Sequence, residues 1–101
     1  MKSKYKVVYL PAAQDDLMEI IDYIKEDDPE AAAVLIKKID RSISRLRSYP
    51  GSGMIPNDER LKLLGYRMLV IDNHLVFYVV KDKTVEIRRV IHGRRRYSFL
   101  L

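Results

Sequence analysis

Apolar and polar positions alternate along this chain with two distinct periods, and the switches between them divide it into six elements. Tyr5 to Leu10 (YKVVYL) is rich in β-branched and aromatic residues and closes at Pro11, which predicts a short strand. From there the period becomes helical. Ala13, Leu17, Ile20, Ile21 and Ile24 form one stripe, while Asp15, Asp16, Glu19 and Asp22 occupy the other face. Asp15 and Asp16 also suit the positive end of a helix dipole. Asp27-Asp28-Pro29 breaks this helix and starts a second, with Asp28 as N-cap and Pro29 at the first helical position. Ala32, Leu35, Ile36, Ile39, Ile43 and Leu46 make the second stripe, Lys37, Lys38, Arg41 and Arg45 face outward, and Pro50-Gly51 ends the element.

The second half returns to strand patterning. Tyr66–Ile71 and His74–Val80 flank Asp72-Asn73, a two-residue connection suited to a tight hairpin turn. Lys81-Asp82-Lys83 then leads into a last strand, Thr84–His92. Two amphipathic helices with so short a break fold back on each other and need a sheet to cover. The predicted order is therefore βααβββ, an α+β fold in which an N-terminal helical hairpin packs on one face of a four-stranded, antiparallel-dominated sheet. Residues 50–65 form a turn-rich loop of about fifteen residues, long for so small a domain.

The final strand breaks its own alternation. Val85 and Ile87 alternate with Glu86 and Arg88, but Arg89 stands where an apolar residue is due, and Val90-Ile91 follow as a pair. Either both faces are partly covered there or a bulge shifts the register.

At 101 residues the chain is one domain, residues 1–101, with 48% hydrophobic and 33% charged residues, a balance expected of a folded soluble protein. The longest uncharged apolar runs are about seven residues, far from the roughly 20 needed to span a bilayer. The opening residues lack a signal-peptide pattern, so a cytoplasmic location without membrane contact is expected. With no cysteine, neither a disulfide framework nor a thiolate metal site is possible. No metal site or cofactor is expected.

The net charge of +5 lies entirely in the second half. Residues 1–50 carry nine basic and nine acidic side chains, residues 51–101 ten basic and five acidic. Between Arg88 and Arg96, five of nine residues are arginine, and His92 is the only other polar side chain. A strand end loaded this way is suited to phosphates or to a polyanionic protein segment reached by electrostatic steering.

Several sequence blocks, in this order and spacing, resemble toxins of the RelE/ParE superfamily from type II toxin–antitoxin systems. They are Pro11–Ile24, Leu46–Gly53 (LRSYPGSG), Gly65–Val70 (GYRMLV), His74–Val80 (HLVFYVV) and Val85–Arg96 (VEIRRVIHGRRR). The last block resembles the ParE branch more than the RelE branch. The resemblance implies a helical hairpin on an antiparallel sheet, and a partner antitoxin that is small, acidic or partly disordered. ParE-like toxins act on DNA gyrase and trap it with broken DNA. RelE-like toxins are instead metal-independent endoribonucleases that cut mRNA on the ribosome.

Under the nuclease reading, Arg67, His92, Arg95 and Tyr97 are the candidate catalytic residues, with His92 as a base near neutrality. Leu69 and Leu75 stand where RelE-type chains tend to carry basic residues, and Tyr97 lies closer to Arg95 than the RelE-type terminal tyrosine. Under the gyrase reading, Arg88, Arg89, Arg94, Arg95 and Arg96 grip the target. Under either, Arg94, Arg95, Arg96, Phe99, Leu100 and Leu101 are candidate antitoxin contacts. A third reading is a non-toxic domain of this fold that binds an antitoxin or nucleic acid. Each residue also has a plainer role open to it: His92 as a bonded strand-end histidine, His74 as a surface residue, Arg67 as a solvated sheet edge, and the C-terminal apolar residues as cover for the core.

Overall fold

The computed structural model describes residues 4–93, 97, 100 and 101. Strand β1 (Lys6–Tyr9) leads through Leu10 into helix α1 (Pro11–Asp27), and helix α2 (Pro29–Ser44) follows after one residue. A short 3₁₀ turn, Arg45–Arg47, carries Leu46 into the core. Asp28 caps α2, its side chain accepting a hydrogen bond from the Ala31 amide at 3.0 Å with Pro29 at the first position. A second 3₁₀ turn, Pro50–Ser52, and a short helix α3 (Glu59–Leu63) precede β2 (Tyr66–Ile71), β3 (His74–Lys81) and β4 (Thr84–His92).

The sheet order is β1-β4-β3-β2. The last three strands form an antiparallel meander, and β1 adds to the outer edge of β4 in parallel, so the sheet is mixed. Both hairpin turns use an aspartate at positive φ, Asp72 at 54° and Asp82 at 55°, a conformation short polar side chains tolerate. Asp72 also receives Lys38 of α2 at 3.1 Å, which ties the helical layer to the first turn.

The first core lies between the helical hairpin and the sheet. Ala13, Leu35, Ile39, Ile43 and Leu46 pack there against Ile71, Val76, Tyr78, Val85, Ile87 and Val90. Ile36, assigned to the α2 stripe from sequence, is 44% exposed instead. It sits at the margin of the stripe, on a small crevice between the helices beside Leu17, Ile21 and Ile39.

Residues 50–65 are not an open loop. Met54 forms an antiparallel bridge with Met68 on the outer edge of β2, exchanging both backbone hydrogen bonds at 2.8 Å. Asp58 caps α3 through the Leu61 amide at 3.0 Å, and Leu61 is fully buried. Tyr78 fixes the approach to this segment: its hydroxyl accepts from the Gly53 amide at 2.9 Å and donates to the Pro50 carbonyl at 2.7 Å. That buried hydroxyl therefore has both its donor and an acceptor site engaged.

The helices do not cover the sheet alone. On the opposite face, Leu61, Tyr66, Phe77, Val79 and Ile91 form a second core, against which Met68, Leu75, Tyr97, Leu100 and Leu101 pack. Both faces of β3 are therefore buried, which accounts for its uninterrupted apolar run.

Candidate functional site at the end of the last strand

The irregularity in β4 is a bulge. Phe77 pairs with Arg89, but the next residue of β3, Tyr78, pairs with Ile87, which leaves Arg88 as the extra residue. Two consecutive arginines are thereby placed between Ile87 and Val90 while both of those side chains stay in the first core.

Arg88 turns toward the second face. Its guanidinium lies 2.8 Å from Glu86 and 5.7 Å from the Tyr66 ring centroid. Arg89 is tied to α1. Its Nε and Nη2 donate to the two carboxylate oxygens of Asp16 at 2.7 and 2.9 Å, and its Nη1 donates to the Leu100 carbonyl at 3.2 Å. The paired carboxylate holds the Arg89 pKa above its ordinary value. Asp16 Oδ2 accepts a third hydrogen bond, from the Val90 amide at 2.9 Å. The reason is topological. The parallel ladder with β1 ends as Leu10 donates to the Ile87 carbonyl, so the Val90 N–H has no strand beside it and a carboxylate from the following helix takes that place. Asp16 thus serves the tertiary structure, where its sequence position suggested the helix dipole; α1 has no acidic residue in its first turn.

Beyond the bulge, His92 pairs across the ladder with His74, their ring centroids 5.5 Å apart and nearly perpendicular. Burial, and then the proximity of His92, push the His74 pKa below its ordinary value, with Asp72 opposing the shift. His74 is accordingly not a simple surface residue; its Nδ1 is buried and has no hydrogen-bond partner. The two histidines form one wall of an open groove of about 400 Å³ whose other wall is α1, with Ile20, Ile24 and Val90 lining it. Gly93 closes the strand, its amide donating to the Asn73 carbonyl at 2.8 Å. Further on, the Tyr97 ring packs 4.9 Å from Phe77 in the second core. Arg94, Arg95, Arg96 and Phe99, which carry most of the sequence-level site, lie outside the described residues.

The four nuclease candidates can be placed only in part. Arg67 pairs across the ladder with Tyr78, hence shares the helix-covered face, and donates to the Gly53 carbonyl at 3.1 Å. His92 is four β3 residues further along, about 13 Å at the rise of a strand, and one strand beyond. Tyr97 lies across the sheet from both, in the second core. Leu69 packs into the first core and Leu75 into the second, so neither face gains a compensating cation at these positions. Leu100 and Leu101 cover the second core, with the Leu101 carbonyl also accepting from Arg60 at 3.3 Å. Among the described residues, no group of three or more His, Asp or Glu side chains is arranged to hold a metal ion. No helix is long and apolar enough to cross a membrane. Sequence reasoning missed Asp16 and the approach of His74 to His92; the latter follows from the hairpin register once Asp72-Asn73 is taken as its turn.

Comparison with known proteins agrees with this geometry. A chain from a structure described as the chromosomal ParDE TA system from P. aeruginosa superposes with a TM-score of 0.72, covering 88% of this chain and 96% of that one. At 21% identity, that likeness is one of fold. A protein of Sinorhizobium fredii (strain NBRC 101917 / NGR234), named "Putative toxin Y4kP", is 29% identical over 99 residues, 98% of this chain and 99% of its own length. The family model described as the ParE toxin of the type II toxin–antitoxin system parDE matches residues 7–97, from the first strand through Tyr97. The chain belongs to the ParE toxin family of type II toxin–antitoxin systems.

Proposed function

We propose that this protein arrests growth by engaging DNA gyrase in the cytoplasm and that a cognate antitoxin neutralises it. The gripping surface is the C-terminal end of β4 with the arginines that follow, Arg94, Arg95 and Arg96. The observation that carries this reading is the dispersal of the alternative chemistry. Arg67 bonds to the Gly53 backbone, Tyr97 packs across the sheet from His92, and Leu69 and Leu75 are taken up by the cores. Acid–base cleavage of RNA needs its base and its phosphate-stabilising cations around one phosphate. A protein that traps its target needs only complementary charge and shape.

Arg88 and Arg89 have a smaller part than sequence alone assigned them. Glu86 and Asp16 engage their guanidinium groups, so they orient the strand end and add positive potential, while direct contacts fall to the arginines beyond Gly93. Neutralisation follows from the same surface: an acidic antitoxin segment covering Arg94–Arg96 would block target contact. The ribosome-dependent nuclease stays the second reading because His92 and His74 stand together on an open groove.

Induced expression in a bacterial host tests both readings. The gyrase reading predicts growth arrest with induction of the DNA-damage response while protein synthesis continues at first, and rescue by the adjacently encoded antitoxin. Immediate arrest of translation with cut mRNA would favour the nuclease. Normal growth would favour a non-toxic binding domain.

A further inference from the structure

The basic end of β4 has an electrostatic opposite next to it. Helix α1 carries Asp15, Asp16, Glu19, Asp22, Glu26 and Asp27 against a single cation, Lys25. Asp16 is spent on Arg89, but the other five carboxylates are exposed and none forms an ion pair among the described residues. In a protein of net charge +5, an unneutralised acidic helix face is a departure that neither the fold nor the gyrase reading explains.

The groove beside this helix gives the departure a shape. Its volume, about 400 Å³, is that of a small binding cleft, and Ile20, Ile24 and Val90 give it apolar walls. Glu19 and Tyr23 lie on its α1 side at i and i+4, neighbours on the helix surface, and Tyr23 is a large aromatic 78% exposed. Asp27 continues the same line one turn on. Opposite stand Asn73, His74 and His92. The lowered pKa of His74 keeps it uncharged near neutrality, so the groove offers no cation to repel a positive ligand.

We infer that the groove between α1 and the β3–β4 hairpin is a docking site for an arginine-bearing apolar peptide segment of a partner protein. The complementarity is specific in kind. An arginine stem suits the Ile20–Ile24 surface, its planar head suits the Tyr23 ring, and its donors suit the Glu19 carboxylate, with an adjacent apolar side chain filling the remaining cleft. Lysine supplies charge without the planar stacking, and an acidic segment meets repulsion from five carboxylates. This surface is distinct from the arginine-rich strand end, so a partner that spans both must be charge-segregated: basic and apolar over α1, acidic over Arg94–Arg96.

Titration of the ¹⁵N-labelled full chain with three synthetic twelve-residue peptides tests the inference without reference to toxicity. The peptides share a Leu/Phe pattern and carry Arg, Lys or Glu at the same positions. The arginine peptide is expected to shift the amides of residues 19–24, His74 and 90–92, with lysine weaker and glutamate silent. Because the protein as a whole is positive, nonspecific attraction would produce the reverse order. Glu19→Arg and Tyr23→Ala, both exposed substitutions, should each weaken the arginine peptide at least tenfold while leaving the rest of the spectrum in place. Equal binding of the glutamate peptide, shifts that map elsewhere, insensitivity to Glu19→Arg, absence of binding at millimolar peptide, or self-association through this groove would each overturn it.

Discussion

Replacing Asp16 by alanine removes, at one position, the partner of Arg89 and the cap of the Val90 amide. The side chains of Asp16 and Arg89 are 13% and 22% exposed, so neither a fully buried nor a surface ion pair is the right reference. Breaking a buried pair by deleting one member costs about 3–5 kcal/mol, whereas exposed pairs contribute about 0–1 kcal/mol. A deprived amide adds about 1–3 kcal/mol where water cannot reach it. Partial exposure at the sheet edge moderates both effects, and about 2–3 kcal/mol is the expected loss. For a domain of this size each kcal/mol shifts Tm by about 4–8 °C, so thermal unfolding should move down by roughly 10–20 °C. Urea denaturation of wild type, Asp16→Ala, Arg89→Met and the double variant separates the parts. The double variant should be less destabilised than the sum of the two, because deleting both charges leaves no orphan guanidinium. Asp16→Asn should fall between, since an amide oxygen still accepts from Val90. A loss below about 0.5 kcal/mol for Asp16→Ala would refute the claim that this carboxylate joins α1 to the bulged strand.

Other outcomes follow from neighbouring features. A Cβ on Gly53 would overlap the Tyr78 hydroxyl and lie 2.8 Å from its Cε1, so Gly53→Ala should destabilise by about 1–3 kcal/mol in urea unfolding. Tyr78→Phe should cost about 1–3 kcal/mol alone through the unmet Gly53 amide and Pro50 carbonyl, and the two changes together should be less than additive. The depressed pKa of His74 means that the unfolded chain binds its proton first as pH falls. Its contribution is thus intact above the ordinary histidine value, about 6.5, and is lost progressively below it; His74→Gln should flatten that acid limb of the urea midpoint between pH 7 and 5. Removing Leu100 and Leu101 should lower Tm through exposure of Phe77 and Ile91 and loss of the carbonyls that Arg89 and Arg60 hold, without changing the far-UV helix signal.

Which parts of this molecule were legible in its residues depended on range. The helical stripes, the Asp28 cap and the Asp72-Asn73 turn are local signals, and each has its counterpart in the structure. The phase break at Arg89 was visible as well, although only the register with β3 decides for a bulge over double-sided cover. Asp16 was read as a dipole partner because its true partner is 73 residues away, and no local pattern carries that information. Helix α3 escaped because five residues with one buried leucine do not complete a period, although Asp58 three positions before Leu61 is a capping signal. The second core had a signal that went unused: HLVFYVV lacks the polar alternation of a strand with one wet face. At the candidate site, the arginine density was plain in the sequence, whereas the engagement of Arg88 and Arg89 by carboxylates required the folded chain.

The measurement closest to the central claim is a gyrase cleavage assay with the purified protein, supercoiled plasmid and ATP, alongside Arg94→Ala/Arg95→Ala/Arg96→Ala. Wild type at micromolar concentration should trap linear and nicked DNA after detergent and protease treatment. The triple variant should be folded by circular dichroism yet trap at least tenfold less. No trapped breaks with wild type, or equal trapping by the triple variant, would contradict the account that this strand end grips gyrase.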